Sequence, residues 1–292
     1  MPEKTITADG AGDGRRSVRI AMVQAHLAGG ERERNLDHGL GLVARAAAGG
    51  ADVVVLPECF PLGWTDPSAA ALADPVPGGE TVEALRAAAR EHGVHLCSGV
   101  VERAGDRVYN AAVLIDPAGE ILLHHRKINE LDIGHPFYAV GDRLGVADTA
   151  LGRVGLMICA DAFAEDRVVT RTLGLMGAEL ILSPSAWAVP GDHDQDVQPY
   201  GDLWRNAYGP VCREHHLYIA GVSNVGWIPD GPWAGRKCIG CSLLMGPDGI
   251  IAEGPYGPEA EEIVVADIRV GRDDRPWHHP PDRWFRPLGA EA

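Results

Sequence analysis

Three residues with different chemistry each end an apolar, strand-like segment of the sequence. Glu58 follows VVVLP, Lys127 follows ILLHHR, and Cys159 follows VGLMI. Residues at the carboxyl ends of strands in open α/β sheets face the ligand crevice, so we expect these side chains to meet. There a thiol would attack a carbonyl or nitrile carbon. A carboxylate would carry the thiol proton to the leaving amine, and an ammonium would stabilise the oxyanion.

Each of these residues also has a plainer interpretation. Cysteine is among the residue types most often buried, so Cys159 on its own is typical of a small core residue. Glu58, after a proline, is compatible with the start of a solvated loop, and Lys127, after Arg126, with a solvated basic patch. The order Glu, Lys, Cys, with every member at the end of an apolar run, favours a catalytic site.

The composition limits the function classes. The chain has 292 residues, a net charge of −15, 46% hydrophobic and 23% charged residues, which together indicate one large globular domain or two small ones. The acidic balance disfavours a nucleic-acid partner and adsorption to anionic lipid, because both need a basic surface. We therefore expect a small-molecule substrate.

The cysteines and the N-terminal segment indicate a reducing compartment. The first twenty residues contain no apolar core of a signal peptide, and no stretch approaches 18 uninterrupted apolar residues. We therefore predict a cytoplasmic protein whose six cysteines are reduced thiols. Cys238-x-x-Cys241 is the pattern of half a zinc site or of a redox pair, but no second CxxC accompanies it, so no metal is predicted.

Strand-like and helix-like segments alternate twice along the chain. Each half has the order strand, helix, strand and then a hairpin around a Pro-x-Gly turn, at residues 117–119 and 247–249. Alternation of this kind indicates crossover units, and the hairpins add antiparallel edges, which predicts an internally duplicated mixed α/β fold. We predict a disordered tail over residues 1–16, one domain over 17–268, and a Trp- and Pro-rich extension over 269–292 that packs on the domain or on a second subunit.

The three segments that end in reactive residues resemble the signature regions of a known family. LPECF (56–60), HRKINE (125–130) and GLMICAD (155–161) are similar to those of the nitrilase superfamily, the carbon–nitrogen hydrolases. The resemblance covers residues 17 to 268 and implies a four-layer αββα sandwich. It also implies Glu58 as general base, Lys127 as oxyanion stabiliser, Cys159 as nucleophile, the N–H of Ala160 as a second oxyanion donor, no cofactor, and a homodimer or higher homo-oligomer.

The sequence departs from the family pattern in places that bear on the substrate. Members often carry a second glutamate several residues after the lysine; here Glu130 is one candidate for that role and His135 the other. Nitrile-hydrolysing members usually have Trp-Glu after the cysteine, whereas this chain has Ala160-Asp161, which favours an amide or carbamoyl substrate.

The residues after Cys159 also indicate the charge of the substrate. Members that act on carboxylate-bearing amides often place an arginine there, but residues 160–166 read ADAFAED, with Phe163 and acids. A carboxylate would find no bidentate partner, so we expect a neutral or cationic amide with an apolar portion. Trp187, Trp64 and His193 are candidates for the pocket wall, or alternatively core aromatics and a solvated histidine.

These observations predict a thiol amidohydrolase that cleaves a non-peptide carbon–nitrogen bond through a thioester at Cys159. Three alternatives stay open: nitrile hydrolysis, acyl transfer to an amine on the same residues, and a catalytically silent scaffold of the same fold.

Overall fold

The computed structural model describes residues 15–271. The strands in chain order are β1 (Arg16–Gln24), β2 (Val53–Val55), β3 (His95–Ala104), β4 (Arg107–Ile115), β5 (Ile121–Arg126), β6 (Val146–Thr149), β7 (Gly152–Leu156), β8 (Leu180–Ser185), β9 (Ala188–Val189), β10 (Tyr218–Ser223), β11 (Val225–Trp227), β12 (Lys237–Ile239), β13 (Leu243–Gly246), β14 (Gly249–Glu253) and β15 (Glu262–Val270). The helices are α1 (Arg32–Ala48), α2 (Ala69–Leu72), α3 (Glu80–His92), α4 (Val168–Leu175) and α5 (Asp202–His215). Short 3₁₀ turns lie at Asp132–Gly134, Cys159–Phe163 and Glu165–Arg167.

The two large sheets have the same strand arrangement. The first has the order β15-β1-β2-β3-β4-β5, and the second β14-β13-β10-β8-β7-β6. In each sheet three parallel strands occupy the centre, an antiparallel strand closes one edge, and an antiparallel hairpin continues the other. The predicted internal duplication is therefore visible in the strand order itself.

Alternating side chains of the first sheet pack on different layers, as the two-residue period of a strand requires. In β1, Ile20 and Met22 face the second sheet, whereas Ala21 and Val23 face α1 and α3. The second sheet carries α4 and α5 on its far face. The result is helix, sheet, sheet, helix, which confirms the predicted four-layer αββα sandwich.

Local sequence signals explain where the helices and hairpins end. Helix α3 ends at Gly93, which adopts a left-handed conformation with φ of +64° that favours glycine. Gly119 has a φ of +80° in the turn that joins β4 to β5, where the sequence predicted a hairpin. The two glycines therefore mark where α3 ends and where β4 turns into β5.

Some elements and boundaries were not predicted. Strands β9, β11 and β12 form a separate three-stranded sheet, and at two or three residues each they are too short to show a periodicity. Strand β15 runs to Val270, just beyond the predicted domain end, while residues 1–14 and 272–292, which hold most of the predicted tail and extension, lie outside the described residues. Within residues 15–271, no helix combines the length and apolarity needed to cross a bilayer.

Candidate active site

Glu58 is held where the two sheets meet. It lies just after β2, and its backbone N–H donates to the carbonyl of Ser185, at the end of β8, over 3.2 Å. Gly99 in β3 makes this position possible, because a Cβ atom there would lie only 2.6 Å from the Cα of Glu58. The glycine therefore lets the backbone of the first sheet approach the Glu58 segment closely.

Lys127 is buried between two carboxylates. Its Nζ lies 2.7 Å from Oε1 of Glu58 and 3.0 Å from Oε1 of Glu130, and the three side chains are at most 2% exposed. Asn110, in β4, donates through Nδ2 to both carboxylates, over 2.7 Å to Glu58 and 3.1 Å to Glu130. A buried ammonium is thus compensated by two buried carboxylates, as charges in a dry interior require.

Burial and pairing act in opposite directions on these groups. Burial raises the pKa of Glu58 above its ordinary value, and the attraction of Lys127 offsets this only in part. Burial alone would lower the pKa of Lys127, but the surrounding acidic groups, Glu58 first, raise it well above its usual range. Lys127 therefore stays charged, and a carboxylate with a raised pKa accepts a proton more readily than an ordinary glutamate.

Cys159 lies at the turn that follows β7. Its backbone has a φ of +44°, in the left-handed region that residues with a side chain rarely adopt, and the residue opens the 3₁₀ turn Cys159–Phe163. The thiol is buried, and Glu58 and Lys127 are among the charged groups that act on its pKa. Burial and then Glu58 raise the pKa of the thiol well above its ordinary value. Cys159 therefore rests as a neutral thiol and must give up its proton when it attacks.

Asp161 ties the Cys159 turn to the segment that carries Lys127. Its carboxylate accepts backbone N–H bonds from Ile158, Ile128 and Asn129 over 2.8–3.1 Å. It also pairs with Nε2 of His125 in β5 at 2.8 Å. Asp161 is completely buried, and these partners hold its pKa below the ordinary value against the effect of burial. The residue thus fixes the position of the turn, and its charge is compensated rather than presented to a substrate.

Glu58, Lys127 and Cys159 line one cavity of about 260 Å³. The rest of its wall is mostly aromatic and aliphatic: Trp64, Leu131, Ala160, Phe163, Ala186, Trp187, Ala188, Tyr200, Leu203, Trp204 and Trp233. A nucleophile, a proton acceptor and a cation therefore share the floor of an apolar pocket, the arrangement expected of acyl-transfer chemistry.

The structure brings most of the predicted site residues together. Ala160, Phe163, Trp187 and Trp64 line the cavity, and Glu130 contacts Lys127 directly. The structure separates the other two candidates from the cavity. His135 is exposed outside the cavity wall, and His193 packs near Tyr256. Of the two candidates for the second-glutamate role, the geometry favours Glu130.

Several residues of the site were not found from the sequence. Trp204, Tyr200 and Trp233 join the cavity wall, and Asn110 orients both carboxylates. Asn110 carried a signal that could have been used, since it is a polar residue inside the apolar strand VYNAAVLI. Nothing in the sequence singled out the three aromatic residues.

The described part of the chain contains no candidate metal centre. No cluster of three or more His, Cys, Asp or Glu side chains suited to an ion occurs among residues 15–271. All six cysteines lie in this range as free, buried thiols, including both members of the Cys238-x-x-Cys241 pattern.

Comparison with known proteins identifies the family. The profile of the carbon–nitrogen hydrolases matches residues 19–273. The chain belongs to the carbon–nitrogen hydrolase family. It is 32% identical to a nitrilase from Pyrococcus abyssi, over 86% of this chain and 89% of that protein. It is 30% identical to an (R)-stereoselective amidase from a Pseudomonas species, over 86% and 85%. The predicted membership of the nitrilase superfamily, in its amidase-like branch, is confirmed.

Solved structures agree on the fold of this carbon–nitrogen hydrolase. A carbon–nitrogen hydrolase from Helicobacter pylori G27 superposes with a TM-score of 0.76 at 23% identity, covering 86% of this chain and 88% of that one. An amidase mutant from Nesterenkonia sp. AN1, with acrylamide added to its active-site cysteine, gives 0.72 at 22% identity, covering 86% and 93%. The protein is an enzyme that hydrolyses carbon–nitrogen bonds other than peptide bonds.

Proposed function

We propose that the enzyme is a thiol amidohydrolase that cleaves a small amide or carbamoyl compound through a thioester on Cys159. The observation that carries the proposal is the position of Lys127. Its ammonium lies 2.7 Å from Glu58, in the cavity that Cys159 also lines. The nucleophile, its base and the oxyanion donor are thus side by side before any substrate arrives.

The first half of the reaction forms the thioester. Glu58 takes the thiol proton as sulfur attacks the amide carbon, which is necessary because the resting thiol is neutral. Lys127, with the N–H of Ala160 as a second donor, stabilises the negative oxygen of the tetrahedral intermediate. The carbon–nitrogen bond then breaks, and Glu58 passes the proton to the nitrogen, which leaves as ammonia or an amine.

The second half returns the enzyme to its resting state. Water attacks the thioester carbon while Glu58 accepts one of its protons. The carbon–sulfur bond breaks, the acid is released, and the proton returns to the thiolate of Cys159. Glu130, 3.0 Å from Nζ of Lys127, holds the ammonium in place during both halves without meeting the substrate carbon.

Replacement of Cys159 by alanine tests the mechanism. We expect ammonia release to fall by about 10⁴-fold or more, since removing a nucleophile takes away the covalent route altogether. Cys212→Ala is the matched control, because Cys212 is a buried thiol on α5 outside the cavity. Mass spectrometry of quenched reactions should detect an acyl adduct on the wild-type chain and none on Cys159→Ala. Equal rates for Cys159→Ala and Cys212→Ala would refute the mechanism.

Nitrile hydrolysis is the second candidate, favoured by the similarity to the Pyrococcus abyssi nitrilase. Two further points favour the amide. Ala160-Asp161 follows the cysteine, and the Asp161 carboxylate is occupied by hydrogen bonds to backbone N–H groups. A matched amide and nitrile with the same carbon skeleton separate the two. We expect ammonia release from the amide to be the faster by at least tenfold, and a faster nitrile reaction would reverse the assignment.

The proposal includes a cytoplasmic enzyme that assembles as a homodimer or larger homo-oligomer. The homo-oligomer is supported by two apolar side chains on α4, Val168 and Leu175, each more than half exposed. Light scattering on the purified chain should give a mass of at least two chains, and a monomer at micromolar concentration would contradict it.

A further inference from the structure

The wall of the cavity is built from aromatic rings in mutual contact. Trp187 and Trp204 stack with centroids 4.3 Å apart and planes 21° apart, and Phe163 packs on Trp204 at 4.6 Å. On another part of the wall, Trp64 meets Trp233 edge-on at 4.8 Å. Rings that support one another in this way form a rigid, apolar surface that offers stacking and edge contacts to a flat ligand.

Apart from the groups that act on the reacting amide, the cavity offers no charge to a substrate. Among the described residues of the wall, Lys127 is the one cation, and it already pairs with Glu58 and Glu130. A substrate carboxylate would therefore be buried without a partner. A substrate cation would fare no better, because the charge of the Glu58 carboxylate is already compensated by Lys127, 2.7 Å away. Burying an unpaired charge costs far more than burying a neutral group.

The size of the cavity suits a ring and an amide together. A dry cavity of about 150 Å³ is enough to hold benzene. The cavity here is about 260 Å³, which leaves room for one six-membered ring, a short linker and the reacting amide over Cys159. Phe163 and Leu203 are partly exposed at the wall, 38% and 54%, where a ring could cover them.

We infer that the preferred substrate is a primary amide whose acyl group carries an uncharged aromatic ring. This inference rests on the proposed function and names its substrate class. The amide carbon lies over Cys159, and the ring packs among Trp187, Trp204 and Phe163. Hydrolysis breaks the carbon–nitrogen bond and gives ammonia and the corresponding aryl-substituted acid.

A panel of five amides tests the inference through kcat/KM for ammonia release. Phenylacetamide is the reference, and acetamide lacks the ring. Cyclohexylacetamide has a ring that is not aromatic, 4-carboxyphenylacetamide carries an anion, and 4-(aminomethyl)phenylacetamide carries a cation. We expect phenylacetamide to exceed acetamide by about 100-fold, from burial of one ring. It should exceed cyclohexylacetamide by about 3- to 10-fold, and each charged compound by at least about 30-fold.

Two variants connect the preference to the wall. In Trp204→Ala and in Phe163→Ala, the ratio of kcat/KM for phenylacetamide to that for acetamide should fall by about 10- to 50-fold. Phe163→Ala is included because Phe163 is partly exposed, so its replacement leaves the core intact. Trp227→Ala is the matched control, since Trp227 is half-exposed and outside this cavity, and the ratio should not change.

The outcomes separate the inference from the proposed function. Acetamide or the anionic amide turning over as fast as phenylacetamide, with activity that still requires Cys159, overturns the substrate class alone. Preference for the cationic amide also overturns it, in favour of a cation-binding aromatic cage. Absence of Cys159-dependent ammonia release from every amide overturns both.

Discussion

The two six-stranded sheets share one strand arrangement, but they bring different kinds of side chain to the cavity. The first sheet and its loops supply the charges, with Glu58 after β2 and Lys127 and Glu130 after β5. The second supplies the thiol of Cys159 after β7 and the ring of Trp187 after β8. One half of the duplicated fold therefore carries proton transfer and charge stabilisation, and the other carries the nucleophile and most of the binding surface.

This division has an energetic consequence. Each buried ion costs several kcal/mol in lost hydration, and only its partners repay that cost. Burial of the aromatic residues of the second half, in contrast, stabilises the folded state. We therefore expect substitutions in the first half to affect stability and rate together, and substitution of Phe163, which is partly exposed on the aromatic wall, to affect mainly which substrate is used.

The largest effect in the charged half is expected for Lys127→Met. This change leaves Glu58 and Glu130 buried without a counter-charge, which should lower the free energy of unfolding by about 3–5 kcal/mol. Loss of the oxyanion donor should also reduce kcat by about 10²- to 10³-fold. Urea unfolding and ammonia release measure the two effects. Lys237→Met is the matched control, because Lys237 contacts the carbonyl of His193 away from the cavity.

A second substitution strengthens this test. Adding Glu130→Gln to Lys127→Met removes one of the two uncompensated carboxylates, so part of the lost stability should return. If the double variant were no more stable than Lys127→Met, uncompensated carboxylates would not be the cause of the lost stability.

A smaller effect is expected for Glu130→Gln alone, which decides between the two candidates for the second-glutamate role. The amide keeps the shape but loses the charge that holds Nζ of Lys127 at 3.0 Å, and kcat should fall by about 10- to 100-fold. His135→Asn should change kcat by less than about twofold, because His135 is exposed outside the cavity wall. A larger loss for His135→Asn than for Glu130→Gln would assign the role to His135.

The smallest effect is expected in the pH dependence of activity, which tests the role of Glu58. Activity needs the ionised carboxylate, so it should fall as pH decreases through the raised pKa of Glu58. The N–H bond from Asn110 opposes that rise, and Asn110→Leu should therefore raise the pKa further and move the acid limb of the kcat/KM profile to higher pH. Thr170→Val replaces a buried hydroxyl that bonds Met157 instead, and it should leave the limb in place. An unmoved limb in Asn110→Leu would mean that another group controls it.

Features that depend on local sequence patterns could be predicted, whereas features that depend on contacts between distant residues could not. Glu58, Lys127 and Cys159 could be predicted because each ends an apolar run, which is a local pattern. The sandwich was predicted from the alternation of strands and helices together with the family resemblance. Trp204 could not be found in this way, because it reaches the cavity only when α5 packs on β10 and β13 and its ring stacks on Trp187. Asn110 and Glu58 are 52 positions apart, and only the pairing of strands in the first sheet brings them to 2.7 Å.

The pairing of β1 with β15 carries a consequence for how the enzyme is made. Nine residues of β1, from Arg16 to Gln24, pair with Val270 back to Glu262. Strand β1 is therefore synthesised long before β15, the strand that completes this side of its sheet. Contacts so distant in sequence fold slowly, and the unfinished edge of β1 is open to wrong partners in the meantime. The first sheet is thus complete only after synthesis has passed Val270.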